Sequence, residues 1–378
     1  MKQVNNNLLL KIALFFVGLR FFAPNSRTSK SFFYLWMLIW GGNTLNIGIL
    51  FITNVLKKNY SEIPENFAYL VGHSGTALGC ILFGLHNKEW KELFEFLLGP
   101  YQPFGKSSQF EKLKALGNFL GKVLLTYISS GLVVYTTFEI LDENECEKRY
   151  NGAKMCGVLN PTWVPSQIHL TVLEKRFILV YQMMSSFFMA CIVFTIFLTY
   201  HASLLIADRA NGLCTLFDEM CLIPNPETQF QAFTNWVNYH EDTIRLCSRL
   251  NKVYKKTVGH ITLLVAVTLA FLGYQLMRDS SLKCLVYISG YLLLIFVCCH
   301  SGQLLEDQMM KVGRAVYLSQ WYHSSQEIRE WIPFIILRSQ QRIALDALPI
   351  GSANNILLLT VIKTTYSYLT LLQQTIER

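Results

Sequence analysis

Apolar residues gather in seven runs, near 31–56, 66–86, 116–140, 177–206, 257–277, 281–305 and 351–374. Each is about the length, roughly 20 residues, that a helix needs to cross a bilayer. Polar stretches separate the runs, so the pattern predicts a bundle of seven membrane helices. Several runs carry Ser, Thr, Tyr, His and Gly among their aliphatic residues, and on membrane helices such side chains face one another or a wet cavity rather than lipid. The run at 177–206 exceeds the hydrocarbon thickness, and its end, TYHASLLIADRANG, is expected to continue as a helix into water. The opening MKQVNNNLLLKIALFFVGLRFF has the outline of a signal peptide, but Arg20 breaks its apolar run and no small-residue cleavage site follows Phe22. Residues 1–30 are therefore read as a retained interfacial segment.

Two long polar connections, 207–256 and 306–345, are helical in pattern. Phe217, Met220, Phe230, Phe233, Trp236 and Tyr239 recur at helical spacing in the first, and Val312, Val316, Trp321, Ile328, Trp331 and Ile335 in the second. Amphipathic helices need partners, so these are expected to pack together as an anchor layer; lying flat on lipid is the alternative. Pro349 and Gly351 in RSQQRIALDALPIGSANN break the chain between an inner helix near 309–340 and a membrane helix near 353–374, with Ser352 placed to cap the latter. The organisation is thus an N-terminal segment 1–30, helices one to four in 31–206, a connection 207–256, helices five and six in 257–305, an anchor helix in 306–345 and a final helix in 351–378.

Composition fixes the class. The 378 residues are 52% hydrophobic and 15% charged, against about a quarter charged in soluble domains, so the fold expected is an all-α integral membrane protein. The net charge of +8 is dispersed, without the aromatic-interleaved basic patch of a nucleic-acid binder. It reports orientation instead: 1–30, 88–115, 207–256 and 306–345 hold 21 Lys and Arg, and the alternate side ten. Positive charge marks the cytoplasmic side, which places the N-terminus and the anchor layer in the cytoplasm and the C-terminus outside. The acceptor sequon Asn59-Tyr60-Ser61 then falls in the first outer connection. Cys146 and Cys156 fall in the second, where an oxidising space would let them close a disulfide loop.

This topology is the inverse of a G-protein-coupled receptor; there is no DRY-like triplet after the third run and no proline in the seventh, so no G protein is expected. Paired Gly/Pro-broken spans, the mark of a transporter, are missing from the sequence. Carboxylates cluster in connections, with Asp142, Glu143, Glu145 and Glu147 reading as a solvated outer face, which leaves no convergent catalytic set. His201, His260 and His300 lack ligand spacing. No enzyme activity, metal or cofactor is expected.

The last run, TVIKTTYSYLTLLQQTIER, carries Lys363, Thr364, Thr365, Ser367, Thr370, Gln373 and Gln374. In hydrocarbon each costs free energy without a partner or water, so something wet or polar must lie beside this helix. A stripe stepping by three or four from Thr364 reaches Ser367 and Tyr368, Leu371, then Gln374 and Thr375.

The segment Gly313–Gln341, most of it the run YLSQWYHSSQEIREWIPFIILRSQQ from Tyr317 onward, followed by TVIKTTYSYLTLLQ, Thr360–Gln373, resembles the insect odorant receptor family. The likeness covers Gly313 to the C-terminus in motif, and the rest in span number, length and inverted topology. Gustatory receptors end in TYxxxxxQF; here Tyr368 and Gln374 remain without the first threonine or the phenylalanine, which favours the odorant branch. The compact 207–256 lacks the large insertion of the co-receptor, so the resemblance is to a ligand-specific tuning subunit. It implies a ligand-gated, non-selective cation channel assembled as a heterotetramer with the odorant receptor co-receptor, in the plasma membrane of a sensory dendrite. By this likeness Leu371, Gln374 and Thr375 match outer gate positions, with Thr364, Ser367 and Tyr368 on the same pore stripe. Trp321, Tyr322 and Trp331 are candidate assembly residues. For Thr365 and Gln373, off the stripe, a seam between helices of one subunit is the reading, and Lys363 is expected to snorkel or pair. A gustatory-type channel and a seven-span carrier are the competing classes.

A small volatile ligand calls for a largely apolar cavity with a few polar anchors. The outer halves of the second, third, fourth and sixth runs offer Tyr69 and His73; Ser130, Gly131, Tyr135 and Phe138; Tyr181, Met184, Ser185 and Phe188; and Tyr287, Ile288 and Tyr291. Each taken singly serves equally well as bundle core; the set carries the expectation. Their aromatic and sulfur character favours a flat aromatic ligand, with His73 able to meet an indole N–H or a phenol O–H, or simply to bond a neighbouring helix.

Overall fold

The computed structural model describes residues 8–16, 27–59, 62–99, 109–150, 155–165, 170–279, 282–349 and 351–376. Its helices are α1 (Leu8–Phe16), α2 (Arg27–Leu56), α3 (Ile63–Leu85), α4 (Asn87–Leu98), α5 (Phe110–Leu141), α6 (Glu143–Tyr150), α7 (Val172–Met189), α8 (Cys191–Cys221), α9 (Pro226–Thr257), α10 (Ile261–Asp279), α11 (Leu282–Leu318), α12 (Gln326–Ser339) and α13 (Asn355–Ile376). Two short strands, β1 (Asp346–Ala347) and β2 (Gly351–Ser352), pair antiparallel.

Among the described residues five stretches are long and apolar enough to cross a membrane: Phe33–Leu56, Ile63–Leu85, Phe110–Leu141, Val172–Cys221 and Leu285–Leu318. Ile261–Met277 of α10 joins them when taken with α9, from which it bends by 45°. The 22 residues of α13 rise about 33 Å at 1.5 Å each, enough for a hydrocarbon core of about 30 Å. The seven predicted spans therefore correspond to α2, α3, α5, α7 with α8, α10, α11 and α13.

Small residues let these helices close on one another, as apolar side chains alone do not drive association in lipid. A methyl group at Gly75 of α3 would run into Leu264 of α10, and one at Gly79 would stand 2.6 Å from Ile192 of α8. On α11, a methyl at Gly302 would overlap the Ala353 carbonyl oxygen just ahead of α13.

Four boundaries differ from expectation. The helix expected at the interface, α1, is instead packed against α5 and α8. Leu9, Leu10 and Ala13 are buried in protein, and the Leu8 N–H donates to Asn118 Oδ1 at 2.9 Å. The fourth span is interrupted at Ala190, between α7 and α8, and α8 runs on to Cys221. The inner helix expected near 309–340 is two helices: α11 continues from the membrane to Leu318, and a single 3-10 turn, Trp321–His323, leads to α12. At the break Ser319 Oγ bonds back to the Val316 carbonyl at 2.8 Å, and the Ser325 N–H is taken by Gln229 Oε1 at 3.2 Å. Finally, Ser352 lies in β2, and α13 is capped by Asn354, whose Oδ1 accepts the Leu357 N–H at 3.0 Å.

At the lower end of the bundle, where α4, α9 and α12 meet the extended α8 and α11, the amphipathic faces find their partners within the chain. Phe217, Met220, Phe233, Trp236, Tyr239, Val312, Val316, Ile328 and Ile335 are buried. Trp236 donates to the Leu213 carbonyl at 2.8 Å and meets Phe217 edge-on. Lys256 of α9 pairs with Glu89 of α4 at 2.7 Å, and Asn251 brackets Asp346, holding β1. Phe230 and Trp331 stay exposed.

Candidate functional site

At the upper end, the described part of the connection from α6 to α7, residues 155–165, does not stay on the surface, as connections usually do. Cys146 of α6 is disulfide-bonded to Cys156, their Cα atoms 5.9 Å apart. Gly157 follows at φ +75°, and a Cβ there would fall 2.6 Å from the Glu143 carboxyl carbon, so both the backbone conformation and the space demand glycine. Glu143 in turn holds Arg176 at 2.6 Å and Lys175 at 3.5 Å, while Lys175 reaches Glu147 at 2.6 Å. The expectation that Glu143 belongs to a solvated face is thus corrected: its side chain is 13% exposed and paired to α7.

Beyond Gly157 the chain dips into the bundle, with Val158, Leu159, Asn160 and Pro161 all buried. Buried backbone needs partners, and polar side chains on two helices supply them, while a third helix meets the Asn160 side chain. Gln182 of α7, 1% exposed, accepts the Asn160 N–H through Oε1 at 3.2 Å and donates through Nε2 to the Asn160 carbonyl at 3.2 Å and to Thr162 Oγ1 at 2.7 Å. Asn46 of α2 brackets the backbone of Trp163, accepting its N–H at 2.9 Å and donating to its carbonyl at 3.2 Å. His73 of α3 donates through Nε2 to Asn160 Oδ1 at 3.1 Å.

Beneath this loop lies a cavity of about 360 Å³, within the range of small-molecule sites. Its lining joins α3, α5, α7, α8, α11 and the loop, and includes the predicted residues His73, Gly131, Tyr135, Tyr287 and Tyr291. Tyr69 stands one step behind, in a small adjoining pocket with His73, Tyr287 and Tyr291. The tyrosines interlock: Tyr287 meets Tyr135 and Tyr69 edge-on at 5.4 and 5.9 Å between ring centres, and the Tyr69 and Tyr135 hydroxyls lie 3.4 Å apart. A methyl at Gly72 would sit 2.7 Å from the Tyr291 hydroxyl, so the glycine makes room for that ring.

Other predicted residues are placed elsewhere. Ser130 and Phe138 line a separate cleft of about 640 Å³ along α5, which Gly131 and Tyr135 also border. Tyr181 turns toward α2 and donates to the Ile39 carbonyl at 2.6 Å; Met184 is exposed. Ser185 is buried with its hydroxyl unpaired, and Ile288 packs against the core; neither lines the cavity. The Phe188 side chain lies outside the described residues. What α7 presents instead is Ser186 and Phe187, followed by Ala190 at the break before α8. Sequence reading also missed Thr76, Tyr127, Ile128, Phe197 and Asn160. Asn160 is the consequential omission, because nothing in a polar connection signals that one residue returns to the membrane interior.

On α13, Leu357 and Val361 are buried toward α10 and α11, while Lys363, Thr364, Ser367, Tyr368, Leu371 and Gln374 are exposed in the single chain. Thr365 is half-buried with its hydroxyl unpaired; the Gln373 and Thr375 side chains lie outside the described residues. Ser367 bonds back to the Lys363 carbonyl at 3.0 Å and Thr370 to the Ser367 carbonyl at 2.9 Å, so these hydroxyls are satisfied by their own helix. Of the candidate assembly residues, Trp321 is half-buried and donates to the Tyr317 carbonyl at 3.3 Å. Tyr322 and Trp331 are exposed at the lower end. Asn59 is described and half-buried, but Tyr60 and Ser61 of its sequon are not. Among the described residues no three His, Cys, Asp or Glu side chains converge as a metal site would require.

Comparison with known proteins gives concordant results. The family model described as 7tm Odorant receptor matches residues 60–366. Odorant receptor 82a of Drosophila melanogaster is 29% identical over 127 residues, 32% of this chain and 33% of that protein. Odorant receptor 67c of the same species is 21% identical over 163 residues, covering 42% and 40%, and the odorant receptor coreceptor of Aedes aegypti is 24% identical over 150 residues, covering 38% and 31%. The matched stretches thus span about a third to two fifths of these relatives. Two structures of the insect olfactory receptor OR5 from Machilis hrabei, one in complex with eugenol and one without, superpose with TM-scores of 0.75 and 0.73 at 14% identity, over 98% of this chain and 97% of that one. At that identity the likeness is one of fold.

Proposed function

Because this chain belongs to the seven-transmembrane odorant receptor family, we propose that it is the odorant-binding subunit of a ligand-gated, non-selective cation channel, assembled as a heterotetramer with the odorant receptor co-receptor. The chain sits in the plasma membrane with its N-terminus and the α4–α9–α12 layer cytoplasmic and its C-terminus outside. A small aromatic volatile binds in the cavity under the 155–165 loop. The observation that carries this reading is that cavity: it lies among predominantly apolar and aromatic side chains of five helices and is roofed by a hydrogen-bonded loop. That a protein of the same fold is described in complex with eugenol supports the ligand class.

The gate belongs to α13. Its exposed stripe of Thr364, Ser367, Tyr368, Leu371 and Gln374, with Thr375 next in register, faces the axis of the tetramer. A ring of Leu371 closes the path by dewetting, and the amides and hydroxyls around it replace part of the hydration of a passing cation. Tyr322 and Trp331, exposed at the lower end, together with Trp321 meet neighbouring subunits. The test is whole-cell current in cells expressing this chain alone or with the co-receptor, screened with volatiles including indoles and phenols. Currents confined to the pair are expected; silence to every volatile at confirmed surface expression would move the assignment to a gustatory-type channel or a carrier. Trp321→Ala should reduce complex assembly more than ligand response per complex, and normal assembly with lost response would contradict its role.

A further inference from the structure

From above, the cavity is closed by the buried Val158, Leu159, Asn160 and Pro161, whose loop is fastened by Gln182 and Asn46. Its side wall differs. The cavity and the cleft along α5 share four lining residues, Tyr127, Gly131 and Tyr135 of α5 and Val286 of α11. The two spaces therefore lie back to back, and Gly131 stands in the middle of the common wall, one helical turn from each tyrosine. Tyr127 and Val286 are each more than half exposed. A Cβ at Gly131 would meet nothing within 4 Å, and the same holds for Gly290, which lines the cavity from α11. Gly75, Gly79 and Gly302 are glycines because neighbouring helices leave no room; Gly131 and Gly290 serve no such packing, and glycine weakens a helix interior. What they supply is open space between α5 and α11. Upward from Gly131 the cleft follows Val134 and Phe138 inside the span Phe110–Leu141, and meets carboxylates only past its end, at Asp142 and Glu145. Because α5 packs chiefly on α1, α6, α7 and α8, and α13 on α10 and α11, the cleft lies away from the helix assigned to the pore.

We propose that the cleft is the entry route of this receptor: a volatile dissolved in the outer leaflet of the membrane passes sideways between α5 and α11, past Gly131, into the cavity. This assignment rests on the odorant-binding reading and adds to it the phase from which the ligand comes and the residue it must pass. The class admitted is an uncharged compound that partitions into hydrocarbon, since the walls of the route lie within a membrane span. Transfer of apolar surface out of water concentrates such a compound at the mouth. Entry from the side also leaves the hydrogen-bonded roof in place, so the chain need not unfasten the 155–165 loop for each ligand.

The test measures current onset and washout during fast concentration steps in cells expressing the chain with the co-receptor, using a broad volatile panel that includes indole, 4-methylphenol and eugenol. Val134 lines the cleft but not the cavity, so Val134→Trp narrows the route without touching the binding surface. A barrier on the route is crossed in both directions. Onset and washout should therefore slow by the same factor, about tenfold for a modest added barrier, with the half-maximal concentration unchanged. The slowing should be greater for the larger of two agonists than for the smaller. Gly131→Leu fills the neck itself, where a side chain has room, and should slow both rates at least as much. Leu141 stands about 10 Å farther along α5 than Val134, at the watery end of the span, so Leu141→Trp slows the rates only if the volatile comes down the cleft from water. Unchanged rates in both Val134→Trp and Gly131→Leu, a shifted half-maximal concentration with unchanged washout in Val134→Trp, or equal slowing in Leu141→Trp overturns entry from the membrane and leaves the odorant-binding reading standing. Silence of the wild type to the whole panel at confirmed surface expression overturns both.

Discussion

Replacing Gln182 with leucine isolates what holds the roof of the cavity in place. The amide of Gln182 makes three hydrogen bonds to the loop, two with the Asn160 peptide and one with Thr162, at a position 1% exposed. At about 1 kcal/mol net for each, Gln182→Leu removes about 3 kcal/mol of loop seating, and more if the Asn160 N–H and carbonyl stay buried without replacement. Each 1.4 kcal/mol is tenfold, so the open loop should become roughly 100-fold more populated relative to the seated one. Amide hydrogen exchange of the 155–165 segment in the purified, bilayer-embedded receptor measures that population directly. The Asn160 amide should exchange roughly 100-fold faster, by the same conversion. The Trp163 amide, held separately by Asn46, should accelerate less. Gln182→Glu keeps the acceptor for the Asn160 N–H and loses both donations, and should fall between. Unchanged exchange at Asn160 in a folded Gln182→Leu protein would refute the seating scheme. The same variant should weaken every agonist by the same factor, as expected when only the competent fraction falls.

Further outcomes follow from other contacts. In the lower layer, burial and then the charge of Arg338 push His240 down to about 4, so it stays neutral in the fold while the unfolded histidine titrates near 6.5. Stability is unaffected above about pH 6.5 and is lost as pH falls toward 4, by about 2 kcal/mol at pH 5; thermal melts of the solubilised protein at pH 7.5 and 5 should show this, and an equal slope in His240→Phe would count against it. Gly302→Ala has no space beside the Ala353 carbonyl and should cut surface expression severalfold; wild-type expression would show that the α11–α13 junction gives way easily. Serine at both Cys146 and Cys156 should cost about 3 kcal/mol of loop stability by chain entropy, so reductant should speed exchange in 155–165 of the wild type and leave the double-serine variant unaltered.

The bundle was legible because its signals are periodic and long. Runs of about 20 apolar residues name membrane helices almost regardless of context, and the amphipathic spacing of Phe217, Phe233, Trp236 and Tyr239 marked residues that are buried in the lower layer. What periodicity could not supply was where a helix stops. The gap between α11 and α12 depends on Gln229, ninety-six residues away, taking the Ser325 N–H, and the burial of α1 depends on its reception by α5 and α8. Both are tertiary events that no local window contains.

The cavity was half legible for a related reason. Periodicity says that a face is buried; it does not say against what. On α3 and α11 the aromatic face and the cavity face coincide, so His73, Tyr287 and Tyr291 were found. On α7 the Tyr181–Met184 face was chosen for its rings and sulfur, yet Tyr181 spends its hydroxyl on α2, and the cavity receives the plainer Ser186, Phe187 and Ala190. Polarity misleads in the same way along α13, where Ser367 and Thr370 bond to their own helix and need no water. Lys363 and Gln374, whose side chains are exposed in the single chain, therefore carry more of the case for a wet face than the hydroxyls do. Asn160 marks the limit of such reading: its place at the cavity follows from a disulfide, a glycine at positive φ and the amide of Gln182 acting together, and each of these alone is compatible with an ordinary surface loop.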